Sequence, residues 1–232
     1  MKKITLLILC SAFLFTTLSA QNSCSKYYPM TEGSTFEYTN YNKKGKVDGV
    51  INYKVSAVTS EGSATKATLD FKMTDKKGKE IFATDYNYTC ENNMVKIDYN
   101  SLFPAQMMKQ YSDMDVEMNI SGTDIEIPND LSVGKKLSDA NVSMDLNMGG
   151  IKMNISVDQT NRRVEKKENI TTPTGTFDCY VLTEQTNSKT MGTTISLTSK
   201  IWLAEGVGMV KQETYKKNGD LMSRMELTNY SK

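Results

Sequence analysis

The sequence contains no histidine. That absence removes Ser-His-Asp and Cys-His catalysis, imidazole-bound zinc and imidazole proton relays together. An enzyme built from this chain could still work through carboxylates, lysine or tyrosine. Excess charge of one sign is missing too. The 28 Lys and Arg residues face 27 Asp and Glu residues, so no strong field exists to attract nucleic acid or an anionic membrane. Low-complexity and linker-like stretches are absent from the body of the chain, which argues for one folding unit. Phosphate-cradling glycine loops are absent as well, because no helix follows Gly175, Gly206 or Gly208.

Long apolar runs are confined to the start, MKKITLLILCSAFLFTTLSAQ. Lys2 and Lys3 form a basic lead, Ile4 to Leu18 an apolar core, and Ser19-Ala20 a small-residue cleavage site before Gln21. This pattern predicts a secretory signal peptide over residues 1–20. The apolar run is shorter than the ~20 residues that span a bilayer. Neither Cys10 nor Cys24 follows the Leu-small-small pattern expected before a lipidated cysteine, so a secreted rather than lipidated form is expected. Removing 20 of 232 residues leaves 212, enough for one all-β domain with a real core, residues 21–232. Lys2 and Lys3 leave with the signal, so 26 basic side chains remain against 27 acidic ones. The expected location is the periplasm or the outer membrane.

The remaining chain alternates. Ile195, Leu197, Ile201 and Leu203 carry the period of a half-buried strand, and Lys217-Asn218-Gly219-Asp220 is a hairpin turn between two further runs. Similar runs occupy 33–42, 47–58, 64–74, 79–89, 94–99, 116–128, 141–148, 151–166 and 176–186. The fold class read from them is all-β: a curved antiparallel sheet forming a partial barrel, with a β-sandwich as the alternative. One helix is predicted, Ser101 to Ser112, in which Phe103, Met107 and Tyr111 recur at four-residue spacing and share a face. It is expected to pack into the concave side of the sheet.

Three cysteines survive export: Cys24, Cys90 and Cys179. Cys179 alternates with Phe177 and Val181 as a core residue, and no histidine exists to activate it. Cys24 lies in a lead segment and Cys90 at a strand end, so the expected disulfide is Cys24–Cys90, although spacing alone does not set connectivity. Met107, Met108, Met114, Met118, Met144, Met148 and Met153 crowd the middle third. Core filling is the plain reading of them. The sharper reading is an apolar cavity lined by Phe103, Met107, Tyr111, Met118, Met144 and Met148. A Cu(I) thioether site fits poorly, because spacing by four on strands is only same-side alternation. Asp113-Met114-Asp115 and Asp124-Ile125-Glu126 lack the glycine and terminal glutamate of a calcium loop. No metal and no cofactor is expected. Trp202 falls opposite Ile201 and Leu203 in the alternation, so it covers a second apolar surface or is re-aimed by a bulge. Gly206 and Gly208 flank Val207 between two runs, a spacing that calls for positive φ in a turn or bulge.

The segment Trp202-Leu203-Ala204-Glu205-Gly206-Val207-Gly208-Met209-Val210-Lys211, with Gly175-Thr176-Phe177-Asp178-Cys179 and Cys24-Ser25-Lys26-Tyr27-Tyr28-Pro29, resembles the TapB-like family of exported proteins from Gram-negative bacteria. The resemblance spans nearly all of the exported chain and implies a mostly antiparallel β domain in the cell envelope. It brings no catalytic residues with it. Its style of fold is similar to half-barrels that carry lipid or lipoprotein, an analogy of fold alone. Two functions are therefore expected to compete: a non-enzymatic protein holding a hydrophobic ligand, lipid or lipoprotein, in its half-barrel, and an envelope interaction or assembly protein with a solid core.

Overall fold

Alternating apolar residues along almost the whole chain must be buried against a shared interior, which a sandwich or a barrel can supply. The computed structural model describes residues 24–103, 117–190 and 192–232. The signal peptide predicted over residues 1–20 lies outside them.

Among the described residues there are thirteen strands, all antiparallel and all in one sheet. The chain begins with β1 (Thr35–Asn42), β2 (Val47–Glu61), β3 (Ala64–Asp75), β4 (Glu80–Glu91) and β5 (Met94–Ile97). A short 3-10 helix, Tyr99–Leu102, precedes β6 (Glu117–Thr123), β7 (Ile125–Pro128) and β8 (Ala140–Met148). The remaining strands are β9 (Ile151–Thr172), β10 (Gly175–Thr190), β11 (Thr193–Ala204), β12 (Gly208–Lys216) and β13 (Leu221–Ser231). Strands β1–β5 form one meander and β8–β13 a second, and the pairing of β1 with β13 joins them. The sheet ends on β6 at one edge and β7 at the other, and Asp124 alone separates these two strands in the chain. The sheet is thus a nearly closed barrel and not a sandwich, because one continuous ladder runs through every strand. Near-closure leaves only two short strands, β6 and β7, as edges.

Strand β9 outlasts β8. Its first half pairs with β8 up to Gln159, and its second half pairs with the loop before β8 through Gly134 N to Val164 O at 2.9 Å and Leu137 N to Arg162 O at 2.9 Å. The hairpin of β9 and β10 also extends past the limits that alternation suggests, to Thr172 and from Gly175. The charged run Glu165–Glu168 hides the strand period, yet its side chains find partners on the same strand or the next. Lys166 lies 2.8 Å from Glu168, and Lys167 lies 2.5 Å from Asp178.

The predicted helix is replaced at its start. Ser101 and Leu102 belong to the 3-10 helix, capped by the Asp98 carboxylate, and Phe103 that follows is extended at φ −78° and ψ 137°. The rest of that segment, with Met107 and Tyr111, lies outside the described residues.

Both faces of β10 and β11 are covered. Val181 and Trp202 oppose each other and join one buried cluster, whereas their neighbours Leu182 and Leu203 join another. Successive strand residues point to opposite faces, so Trp202 covers a second apolar surface. Its indole N–H donates to Glu168 Oε1 at 2.8 Å, and the Lys211 ammonium sits 4.6 Å from the ring centroid.

Candidate functional site

The barrel encloses a cavity of about 430 Å³, within the range of about 300–1,000 Å³ typical of small-molecule sites. Its two walls differ in chemistry. Strands β1–β4 contribute aromatic side chains at alternate positions: Phe36 and Tyr38 from β1, Tyr53 from β2, Tyr86 and Tyr88 from β4. Tyr38 and Tyr53 meet edge to face with centroids 6.0 Å apart, and Phe71 bridges Tyr53 and Tyr86 at 5.2 Å from each. Aromatic pairs at such distances add to the area they bury and hold the wall rigid. Burial pushes the Tyr86 phenol up to about 12 and holds Tyr28, Tyr38, Tyr53 and Tyr88 well above their ordinary value. All five are neutral at physiological pH.

The opposite wall, from β9 to β12, is mixed, with apolar Leu182, Leu197, Ile201 and Met209 interleaved with polar side chains. It presents Gln159, Arg162, Glu184, Thr186, Ser199, Gln212 and Thr214. Arg162 Nε lies 3.3 Å from Glu184 Oε2, with side chains only 2% and 6% exposed. Arg162 also donates Nη1–H to Ser138 O at 2.5 Å and Nη2–H to Glu126 O at 3.4 Å. Burial raises the Glu184 carboxyl pKa, and the guanidinium beside it pulls the value back down.

A β-bulge puts Arg162 there. Thr183 pairs with Arg163 and Gln185 with Thr160, so Asn161 and Arg162 together oppose Glu184 alone. Asn161 takes the extra residue's conformation at φ +54°, which asparagine tolerates better than most residues. Ile155, Val157 and Gln159 face inward at odd positions, and Arg162 and Val164 at even ones. The bulge is where the parity changes, and it is how a strand re-aims a side chain. The sequence carries this signal: apolar residues sit at odd positions through Val157 and at an even one at Val164. Reading 151–166 as one uninterrupted strand missed it, and Arg162 and Glu184 with it.

The lead closes one end of the barrel. Cys24 is bonded to Cys90 across 66 positions, and Cys179 is a buried free thiol. Burial pushes the Cys179 thiol up to about 12, far from a reactive thiolate. The Asn129 side chain accepts from Lys26 N at 2.8 Å and donates to Cys24 O at 2.7 Å, while Tyr88 donates its hydroxyl to Pro29 O. Tyr27 is buried and Tyr28 lines the cavity. The turn Glu205–Val207 holds the other side of the lead. Gly206 donates its N–H to Lys26 O at 2.9 Å and accepts from the Tyr230 hydroxyl at 3.0 Å. Gly206 has φ +69° and Gly208 φ +94°, and a Cβ on Gly208 would meet the Tyr28 ring at 3.4 Å.

Of the residues proposed from sequence as a cavity lining, four fall among the described residues. Phe103 and Met144 are buried together in a cluster with Val142, Leu146 and Ile155, apart from the two-walled cavity. Met118 is 38% exposed on the edge strand β6. Met148 ends β8, and Met107 and Tyr111 lie outside the described residues. Among the described residues no group of three or more Cys, Asp or Glu is placed to hold a metal ion.

A family model described as DUF3108-like matches residues 31–227. The chain belongs to the DUF3108-like family. Two solved structures share this DUF3108-like barrel. One is a Bacteroides fragilis protein described as exported and as having a YmcC-like fold. It is 20% identical with a TM-score of 0.73, over 90% of this chain and 100% of that one. The other is a Parabacteroides distasonis protein described as a lipoprotein, 24% identical with a TM-score of 0.73, over 90% of this chain and 99% of that one. At these identities the likeness extends to the fold. No curated protein matches the chain.

Proposed function

We propose that the protein is an exported, non-enzymatic carrier that holds an apolar or amphiphilic small molecule, a lipid or the lipid part of a lipoprotein, inside its barrel. One observation carries this reading: a 430 Å³ cavity with an aromatic wall facing one that mixes aliphatic and polar side chains. Ligand sites are concave and largely apolar, with a few placed polar groups, and this cavity has that composition. The two charged side chains that line it among the described residues, Arg162 and Glu184, are paired with each other, so neither is free to act as an acid, base or nucleophile. The basic and apolar start of the chain supports removal of residues 1–20 on export, leaving 21–232 as one domain. Two proteins with the same fold are described as exported and as a lipoprotein, which supports an envelope location, periplasmic or on the outer membrane.

Native mass spectrometry of the protein purified without detergent from its own host tests the reading. A lipid-sized adduct is expected, released on denaturation. Ile201→Trp, which fills the cavity from β11, is expected to lose the adduct and to stop binding the uncharged fluorophore N-phenyl-1-naphthylamine while keeping its β circular dichroism. A wild-type protein that carries no adduct and does not bind the fluorophore rules the carrier reading out.

A further inference from the structure

We infer that the ligand is an electrically neutral amphiphile bearing a hydroxyl or amide donor, the class of a monoacylglycerol, and not a fatty-acid carboxylate or a phospholipid acid. The inference rests on the carrier reading above and deepens it. Among the described residues that line the cavity, Arg162 and Glu184 are the only charged side chains, and they neutralise each other at 3.3 Å. Arg162 looks at first like an anion receptor. Its charge is paired with Glu184 through Nε, and one N–H of each of Nη1 and Nη2 donates to the carbonyls of Ser138 and Glu126, so three of its five N–H donors are engaged. The lining tyrosines are neutral phenols. A carboxylate or phosphate entering here would lose its water and meet no unpaired positive charge, a costly exchange.

The mixed wall suits uncharged groups instead. Gln159 Oε1 is a buried acceptor with no hydrogen-bond partner among the described residues, and Gln159 lines the cavity. A buried acceptor left unmatched is costly, and a ligand hydroxyl or amide N–H satisfies it. Thr186, Ser199 and Thr214 add hydroxyls from the same wall, able to donate to an ester carbonyl. The aromatic wall receives the chain.

Displacement of bound N-phenyl-1-naphthylamine at pH 8 tests this, using monomyristoylglycerol, myristate and 1-myristoyl lysophosphatidate, which share one acyl chain. Monomyristoylglycerol is expected to displace the probe at concentrations at least roughly tenfold lower than either anion, equivalent to ~1.4 kcal/mol. Glu184→Gln leaves Arg162 unneutralised and is expected to shrink that gap by bringing myristate up roughly tenfold. Should that variant fail to fold, Gln159→Leu, which removes the buried acceptor, serves: it is expected to narrow the gap between monomyristoylglycerol and myristate severalfold, and an unchanged gap overturns the inference. Wild-type protein that binds myristate as tightly as monomyristoylglycerol overturns the inference and leaves the carrier reading standing. Wild-type protein that does not bind the probe overturns both.

Discussion

Arg162 reaches Glu184 because Asn161, one residue earlier, breaks the strand's alternation at φ +54°. The pair is almost fully removed from water, so its two halves are tightly interdependent. Arg162→Met alone is expected to destabilise the fold by about 3–5 kcal/mol, because it leaves an uncompensated buried carboxylate. Arg162→Met combined with Glu184→Met is expected to recover most of that loss. Urea denaturation of the two variants checks this, and additive losses would refute the coupling.

The lead depends on its covalent tie. In the chain-entropy view, a disulfide closing a loop of 66 residues stabilises by ~4 kcal/mol. Cys24→Ala with Cys90→Ala is expected to lower the melting temperature and to expose the lead to proteolysis before the barrel. Non-reducing peptide mapping is expected to return a Cys24–Cys90 peptide and a free Cys179. A Cys24–Cys179 peptide or three free thiols would contradict the tie.

Gly208 answers to two demands at once, a φ of +94° and the Tyr28 ring 3.4 Å from where a Cβ would stand. Gly208→Val is expected to cost about 1–3 kcal/mol through backbone strain alone. Gly206→Asn, at φ +69° with only the Lys232 ammonium nearby, is expected to be milder because asparagine tolerates the left-handed region. Thermal melts of the two variants rank them. Equal, negligible shifts with loss of probe binding would make the turn a binding element.

The tyrosine wall makes an alkaline prediction. Folding holds the Tyr28, Tyr38, Tyr53, Tyr86 and Tyr88 phenols above their ordinary value of 10.0. A raised value favours the protonated form in the folded state. The stability this contributes is therefore full below pH 10 and is lost as pH rises through the raised values. Melting temperature is expected to hold up to about pH 10 and fall beyond it. Phenolate absorbance from these residues is expected to arrive with unfolding. Five phenols ionising near their ordinary value in a folded protein would count against the buried wall.

Glu168 makes the converse acid prediction. Lys166 and the Trp202 N–H hold its carboxyl below the ordinary value of 4.5. Its stabilising contribution is present above that value and lost as pH falls through the lowered one. The melting-temperature gap between wild type and Glu168→Gln is expected to close on acidification. A gap that persists to strongly acid pH would show that the ion pair is not its source.

Much of the architecture is written in period-two alternation. Ile51, Tyr53 and Val55, or Ile201 and Leu203, declare a half-buried strand wherever they occur, and Asn218-Gly219 declares the turn between β12 and β13. The strained turn at Gly206 and Gly208 was legible for the same local reason, since positive φ is a property of the residue itself. The missing histidine settled which chemistries are absent. Tertiary structure alone decided what the local signals do not encode. Alternation tells which residues share a face and is silent on whether that face meets a second sheet or the far side of its own barrel. Here the pairing of β1 with β13 chose the barrel. Met144 packs in a buried cluster with Phe103, while tyrosines spread over β1, β2 and β4 come together on one wall of the cavity. Arg162 and Glu184, 22 positions apart, face each other because one extra residue in β9 shifts its register by one, and a register shift sends a side chain to the opposite face.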